Sequence, residues 1–235
     1  MADRIADGVV RLGLGVAQAY LVALDDGPHL VDTGTPGNAD RILAALALTG
    51  SGATDLRTIV LTHQHRDHAG SVAAVARATG APVAVHAADA PPVREGLVPV
   101  TGTLNGPFGS FLGRFAPRLA LEATPVAREL ADDDRIGGEG GLRVIHTPGH
   151  TPGHVSLLLQ RDGGVLFVGD AAANLLGRLG RPFVSTDPAA VAASAARLAA
   201  LDFEIAVFGH GTAIRGGAAL RFRRFVDRLA AGSGR

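Results

Sequence analysis

Apolar residues in this chain fall into short blocks cut by turn signals, alternating with stretches of helical period. Ala19 to Leu24 is apolar and ends at Asp25-Asp26-Gly27, a hairpin signal. His29-Leu30-Val31 resumes the strand pattern and closes at Asp32-Thr33-Gly34. Behind Asn38, at a capping position, Ile42, Leu43 and Leu46 recur at helical spacing until about Gly50. Thr58 to Leu61 is a short β-branched run, read as a buried strand. His68 to Thr79 is Ala-rich with Val72 and Val75, and Gly80 ends it as a helix C-cap. Pro82–His86, Leu142–Ile145, Val155–Leu159, Val165–Val168 and Ile205–Phe208 read as further strands. Asp187-Pro188 opens a helix, cap first and Pro at the first helical position, that runs to about Leu201. A last helix covers 216–231, with Arg221, Arg224 and Arg228 opposite Leu220, Phe225 and Leu229, a solvated amphipathic face rather than a nucleic-acid patch. Strands in pairs between helices predict sheets sandwiched together and covered by helices.

Residues 91–125 differ in texture, being rich in Pro and Gly. Phe108, Phe111, Leu112 and Phe115 recur there at i, i+3, i+4, i+7, so a short helix would present one apolar face. Two readings stand for it: a lid over an apolar substrate, or a loop packed on the core. No internal repeat or linker divides the chain, so 1–235 reads as one domain with this insert.

Composition removes several chemistries. There is no cysteine, which excludes disulfides, thiolate nucleophiles and Cys-ligated zinc. All 22 basic residues are Arg, which excludes Schiff bases and the P-loop lysine. They balance 22 acidic residues, so no global field draws nucleic acid or an anionic membrane. The N-terminal residues lack the basic and apolar regions of a signal peptide, and no apolar run of about 18 residues appears. A cytoplasmic protein acting on a small molecule is the expectation.

Nine histidines are the unusual feature. The segment Thr62-His63-Gln64-His65-Arg66-Asp67-His68 follows the strand that ends at Leu61. Carboxyl ends of strands are where α/β proteins place chemistry. Three imidazoles and a carboxylate on one loop reach a small common volume, and both are ligand types for zinc, manganese or iron. His150 lies in a Pro/Gly turn after the Leu142–Ile145 strand; Asp170 and His210 also follow apolar strands. All of them can converge on one edge of a sandwich. His154 and His146 flank that turn and are assigned to packing or to an outer shell, with a ligand role as the alternative for each. His29 and His86 are read as surface or satisfied histidines.

On these residues the chain resembles the metallo-β-lactamase superfamily of metal-dependent hydrolases. The likeness runs through Leu30-Val31-Asp32-Thr33-Gly34, the His-x-His-x-Asp-His segment, Thr147-Pro148-Gly149-His150, Gly169-Asp170 and Gly209-His210-Gly211. It implies an α+β fold, a four-layer αβ/βα sandwich of two mixed β-sheets flanked by helices. It also implies two divalent ions, zinc first with manganese or iron as alternatives. His63, His65 and His150 would hold one ion, and Asp67, His68 and His210 the other. Asp170 would bridge them together with a hydroxide, while Asp32 would stand outside the ligands. Two divalent ions less Asp67, Asp170 and hydroxide leave about one positive charge, suited to a carbonyl oxygen. The reaction implied is attack of the bridging hydroxide on an ester, thioester or lactone, with Asp67 orienting it or carrying a proton. A mononuclear-iron persulfide-dioxygenase type, or a phosphodiesterase or β-lactamase-like member, is the alternative.

Departures narrow the choice. Zinc β-lactamases use a Cys ligand or lack a bridging carboxylate, and this chain has no Cys and has Asp170. Glyoxalase II enzymes add a C-terminal helical domain, whereas only 211–235 follow His210. Acyl-homoserine lactonases place a Tyr three residues after the bridging Asp, and here that residue is Ala173.

Overall fold

The computed structural model describes residues 2–97, 103–104 and 120–232. The chain opens with an antiparallel meander, β1 (Ala2–Ala6), β2 (Val9–Gly13), β3 (Gln18–Leu24) and β4 (Gly27–Val31). Strands β5 (Thr58–Val60), β6 (Val83–His86) and β8 (Arg128–Leu130) then join β4 in parallel and complete a seven-stranded sheet. The second sheet has six strands: β9 (Arg135–Ile136), β10 (Leu142–His146), β11 (Val155–Leu159), β12 (Val165–Phe167), β16 (Ile205–Val207) and β17 (Ile214–Arg215). Only its β12–β16 pair is parallel. Two small pairs stand apart: β13 (Ala173–Leu175) with β14 (Arg178–Gly180), and β15 (Val184–Ser185) with β7 (Thr103–Leu104).

Strand alternation explains the layering. In β3, Tyr20, Val22 and Leu24 face the second sheet, while Ala19 and Leu21 face helices. In β12, Val165 and Phe167 point inward and Leu166 outward. Both faces of these strands are covered, which is why they read as unbroken apolar runs. Helices α1 (Ala39–Leu48), α3 (Val72–Thr79) and α4 (Ala90–Glu95) cover the first sheet through Ile42, Leu46, Val72, Val75 and Val93. Helices α5 (Pro188–Ala199) and α6 (Ala218–Gly232) cover the second through Ala195, Leu198, Phe222 and Phe225. The result is the four-layer α+β sandwich with two mixed sheets.

Several elements differ from the sequence expectation. The helix over 68–79 is two helices, α2 (Arg66–Ala69) and α3, separated at Gly70-Ser71. A side chain at Gly70 would run into Pro36, and Ser71 Oγ is engaged by Thr35 O and the Asn38 amide. Asn38 stands at the α1 N-cap but its side chain makes no cap bond; it donates to Thr35 instead. Leu220 is 49% exposed, and Phe222 takes the buried place beside Phe225. Leu220 and Phe225 are five residues apart, about 140° around a helix, so they do not share a face. Among the described residues no helix is long and apolar enough to cross a membrane.

Candidate metal centre

The edge where β5, β10, β12 and β16 end is where the polar residues gather. Main-chain bonds tie the two sheets there: Val155 N–H donates to Thr62 O at 2.9 Å and Gln18 N–H to Gly209 O at 3.0 Å. The buried Tyr20 hydroxyl donates to Phe208 O at 2.7 Å. The chain leaving β5 therefore faces the chain leaving β16 at a fixed separation.

Five imidazoles and two carboxylates converge in this gap. His63, His65 and His150 form one group, and Asp67, His68 and His210 another. His150 Nε2 lies 3.1 Å from His63 Nε2 and 2.9 Å from His65 Nδ1. His210 Nε2 lies 3.4 Å from His68 Nε2 and 3.1 Å from Asp67 Oδ2. Asp170 sits between the groups, 3.5 Å from His150 Nε2, 3.6 Å from His68 Nε2 and 3.3 Å from His210 Nε2. A side chain at Gly209 would run into Asp170 Oδ1 and the His68 ring, so only glycine lets this strand end approach.

The outer nitrogens fix the tautomers. His150 Nδ1 donates to Val184 O and His210 Nδ1 to Val16 O, each at 2.7 Å. His68 Nδ1 donates to Asp32 Oδ2 at 2.9 Å. Asp32, at a φ of +60°, also accepts from the Thr62 amide and hydroxyl. With these outer N–H bonds made, the Nε2 atoms of all three rings turn into the gap. Nitrogen atoms facing one another at such distances need a cation between them, a proton or a metal ion. Asp170 Oδ1 is buried with no hydrogen-bond partner, a second atom suited to a cation. The donor set of nitrogen and carboxylate oxygen therefore fits divalent transition ions.

Electrostatics point the same way. Burial, reinforced by the charges of the other histidines, holds His63 well below the usual imidazole range. Burial and His150 take His65 down to about 3. Burial works against charge on His68 too, yet Asp170 and Asp32 raise it to about 9. His210 is likewise raised against burial, to about 11, by its bonds to Asp170 and Asp67. Burial raises the Asp170 carboxyl, but His68 and the bond from His210 overcome it and hold the group well below the carboxylate range. The carboxylates thus demand positive charge between the two groups.

The remaining histidines divide. His154 is fully buried; its Nε2 accepts the Asp170 amide at 2.8 Å, so its Nδ1–H donates to Thr147 Oγ1 at 2.9 Å. Both nitrogens are used, and it braces the Asp170 turn instead of facing the gap. His146 bonds Pro152 O and stacks on His86, with centroids 4.1 Å apart. His29 is not at the surface: it is 1% exposed, with Nε2 on Asp26. Phe108, Phe111, Leu112 and Phe115 lie outside the described residues. The sequence reading missed Asp89, a fully buried carboxylate beyond the end of β6. Its one signal was a carboxylate just past a strand ending at the same sheet edge as the ligands.

Comparison with known proteins gives the family and the fold. The family model described as the metallo-beta-lactamase superfamily matches residues 12–210. The chain is 30% identical over 229 residues to a probable metallo-hydrolase, YflN, of Bacillus subtilis (strain 168), with 90% of this chain and 86% of that protein covered. It is 35% identical over 148 residues to a hydroxyacylglutathione hydrolase of Anaeromyxobacter dehalogenans (strain 2CP-C), covering 63% of this chain and 43% of that protein. Its fold matches BJP-1, a subclass B3 metallo-beta-lactamase of Bradyrhizobium japonicum, at a TM-score of 0.72 and 23% identity, covering 99% of this chain and 95% of that one.

Proposed function

The chain belongs to the metallo-β-lactamase superfamily of metal-dependent hydrolases, and from that footing we propose that it hydrolyses an ester, thioester or lactone at a centre of two divalent ions. The observation that carries the proposal is the inward convergence of His63, His65 and His150 in one group and Asp67, His68 and His210 in the other, with Asp170 between. The first three would hold one ion and the second three the other, zinc being first in expectation. When bound, such ions bring the pKa of a coordinated water toward neutrality and polarise a carbonyl oxygen.

The chain's own residues set the rest. Asp32 and the carbonyls of Val16 and Val184 hold three imidazoles in the ligating tautomer. His63 and His68 are fully buried, whereas Asp67 and His210 keep 33% and 19% of their side chains exposed. Substrate therefore approaches from the Asp67–His210 side. Asp67, the more open carboxylate, is placed to orient the attacking oxygen or to carry a proton to the leaving group. The Asp170 carboxylate argues against a β-lactam substrate. The hydroxyacylglutathione hydrolase relative supports an acyl thioester, although this chain spans less than half of that protein.

Metal analysis of purified protein, followed by a screen of thioesters, lactones and phosphoesters, tests the proposal. Two ions per chain are expected, with acyl-substrate turnover that a chelator abolishes and zinc restores. Manganese or cobalt should restore part of it, since nitrogen and oxygen ligands select weakly. One tightly bound iron and no second ion would end the binuclear reading. Turnover of phosphoesters alone would move the substrate class.

A further inference from the structure

Asp89 occupies the N-cap of α4, where an aspartate normally accepts from the first turn of the helix. Its side chain makes no such bond. Instead the carboxylate, 0% exposed, points across the sheet edge into the two loops that carry the first group of imidazoles. Oδ2 accepts from the Gln64 amide at 3.1 Å and from Thr151 Oγ1 at 2.7 Å; Oδ1 accepts from the Gly153 amide at 2.7 Å. Gln64 lies between His63 and His65, and Thr151 follows His150. All these donors therefore belong to the segments that present His63, His65 and His150.

The approach is close by construction. A Cβ on Gly153 would stand 2.6 Å from both the Asp89 amide nitrogen and Oδ1, so residue 153 lacks a side chain where the carboxylate enters. Burying a carboxylate is costly unless its oxygens are well served, and a helix cap has been forgone to place it here. We propose that Asp89 is a positioning residue for the metal centre: one carboxylate clamps the His63–His65 loop to the His150 turn and sets the distance between their imidazoles. The inference rests on the metal-centre reading above.

Zinc affinity, measured by competition with a chromophoric chelator, tests it. Asp89→Asn keeps the shape, but every orientation of the amide points its NH2 at a backbone N–H, of Gly153 or of Gln64. The expected result is zinc affinity about 10–100-fold weaker, the usual effect of losing a group that orients ligands. Ile42→Val, a truncation of a core side chain in α1, serves as the stability control. It should lower the melting temperature and leave zinc affinity at the parent value. An Asp89→Asn affinity within about twofold of the parent, inside the scatter expected for an unlinked site, overturns the proposal. So does an equal loss of affinity in Ile42→Val. Should Asp89→Asn fail to fold, Thr151→Val removes a single donor to the carboxylate and should weaken zinc by about 10-fold, the low end for one hydrogen bond to a charged group. An unchanged affinity there overturns the clamp as well. If the parent takes up no divalent ion, the metal-centre reading itself fails and takes this inference with it; that outcome is distinct from a parent that binds and variants that bind equally.

Discussion

His154→Ala and Asp170→Asn should both destabilise the protein but differ in metal content, although the two residues touch. His154 accepts the Asp170 amide and donates to Thr147, which with Ser156 continues the chain to Val168 O. Truncation leaves a buried amide without an acceptor, costing about 1–3 kcal/mol. The emptied ring volume adds about 2 kcal/mol at the low end for core truncations. A total of about 3–5 kcal/mol corresponds to a fall of roughly 6–20 °C in melting temperature for a chain of this size. Asp170→Asn keeps the backbone bond to His154 and the side-chain shape, but puts an NH2 donor among the ligand nitrogens. It should lose at least one ion, and its metal-free form should melt lower too, because Asn cannot pair with His68 and His210. Melting is measured with chelator present, so that ligand linkage does not enter, and metal content is measured separately at saturating zinc. His154→Ala should still take up two ions. A His154→Ala protein that melts with the parent refutes the brace, and one that loses an ion while Asp170→Asn keeps two reverses the assignment.

Zinc added to chelator-treated protein should raise the melting temperature progressively with concentration, since ions bind the folded ligand set; a concentration-independent melt would argue against a specific site. Asp187 accepts the amides of Ala189 and Ala190 at the start of α5. Asp187→Ala should cost about 1 kcal/mol, read by urea denaturation, with metal content unchanged. Tyr20→Phe removes the hydroxyl on Phe208 O, a buried bond between the sheets. It should cost about 1–3 kcal/mol because the carbonyl is left buried, and a loss below about 0.3 kcal/mol, within ordinary surface-mutation scatter, would mean that this tie is not needed.

Much of this was legible because one rule covers it. Strands buried on both faces leave long apolar runs, and polar residues that end them stand at one sheet edge. That placed His63, His65, Asp67, His68, His150, Asp170 and His210 together before any coordinates. The caps at Asp187 and Gly80 were legible for local reasons: an Asp-Pro start, and a glycine that sits at a φ of +73°. What escaped was tertiary. Gly70 divides α2 from α3 because Pro36 packs against it, and Pro36 is 34 positions earlier in the chain. Asn38 gave its cap away to bonds with Thr35 and Leu14. The β13–β14 and β7–β15 pairs are too short to show a period. His29 gave no sign that the strand around it would be covered on both faces.

The site's outer bonds explain why so sparse a pattern suffices. Each imidazole must choose one tautomer, and a wrong choice would turn an N–H toward the gap. For His210, His150 and His68 that choice is made by groups the strand ends bring in: main-chain carbonyls of Val16 and Val184, and the carboxylate of Asp32. Carbonyls come from the backbone, so side-chain identity at 16 and 184 leaves no trace in a residue pattern. What they require is the correct path of the chain, which the sheets impose. The rings are thus oriented by the same hydrogen-bonded framework that gives the fold its stability, and little side-chain freedom is left to lose when an ion binds. A ligand set assembled in this way depends on the spacing of four chain segments, and the clamp from Asp89 to Gln64, Thr151 and Gly153 acts on two of them at once.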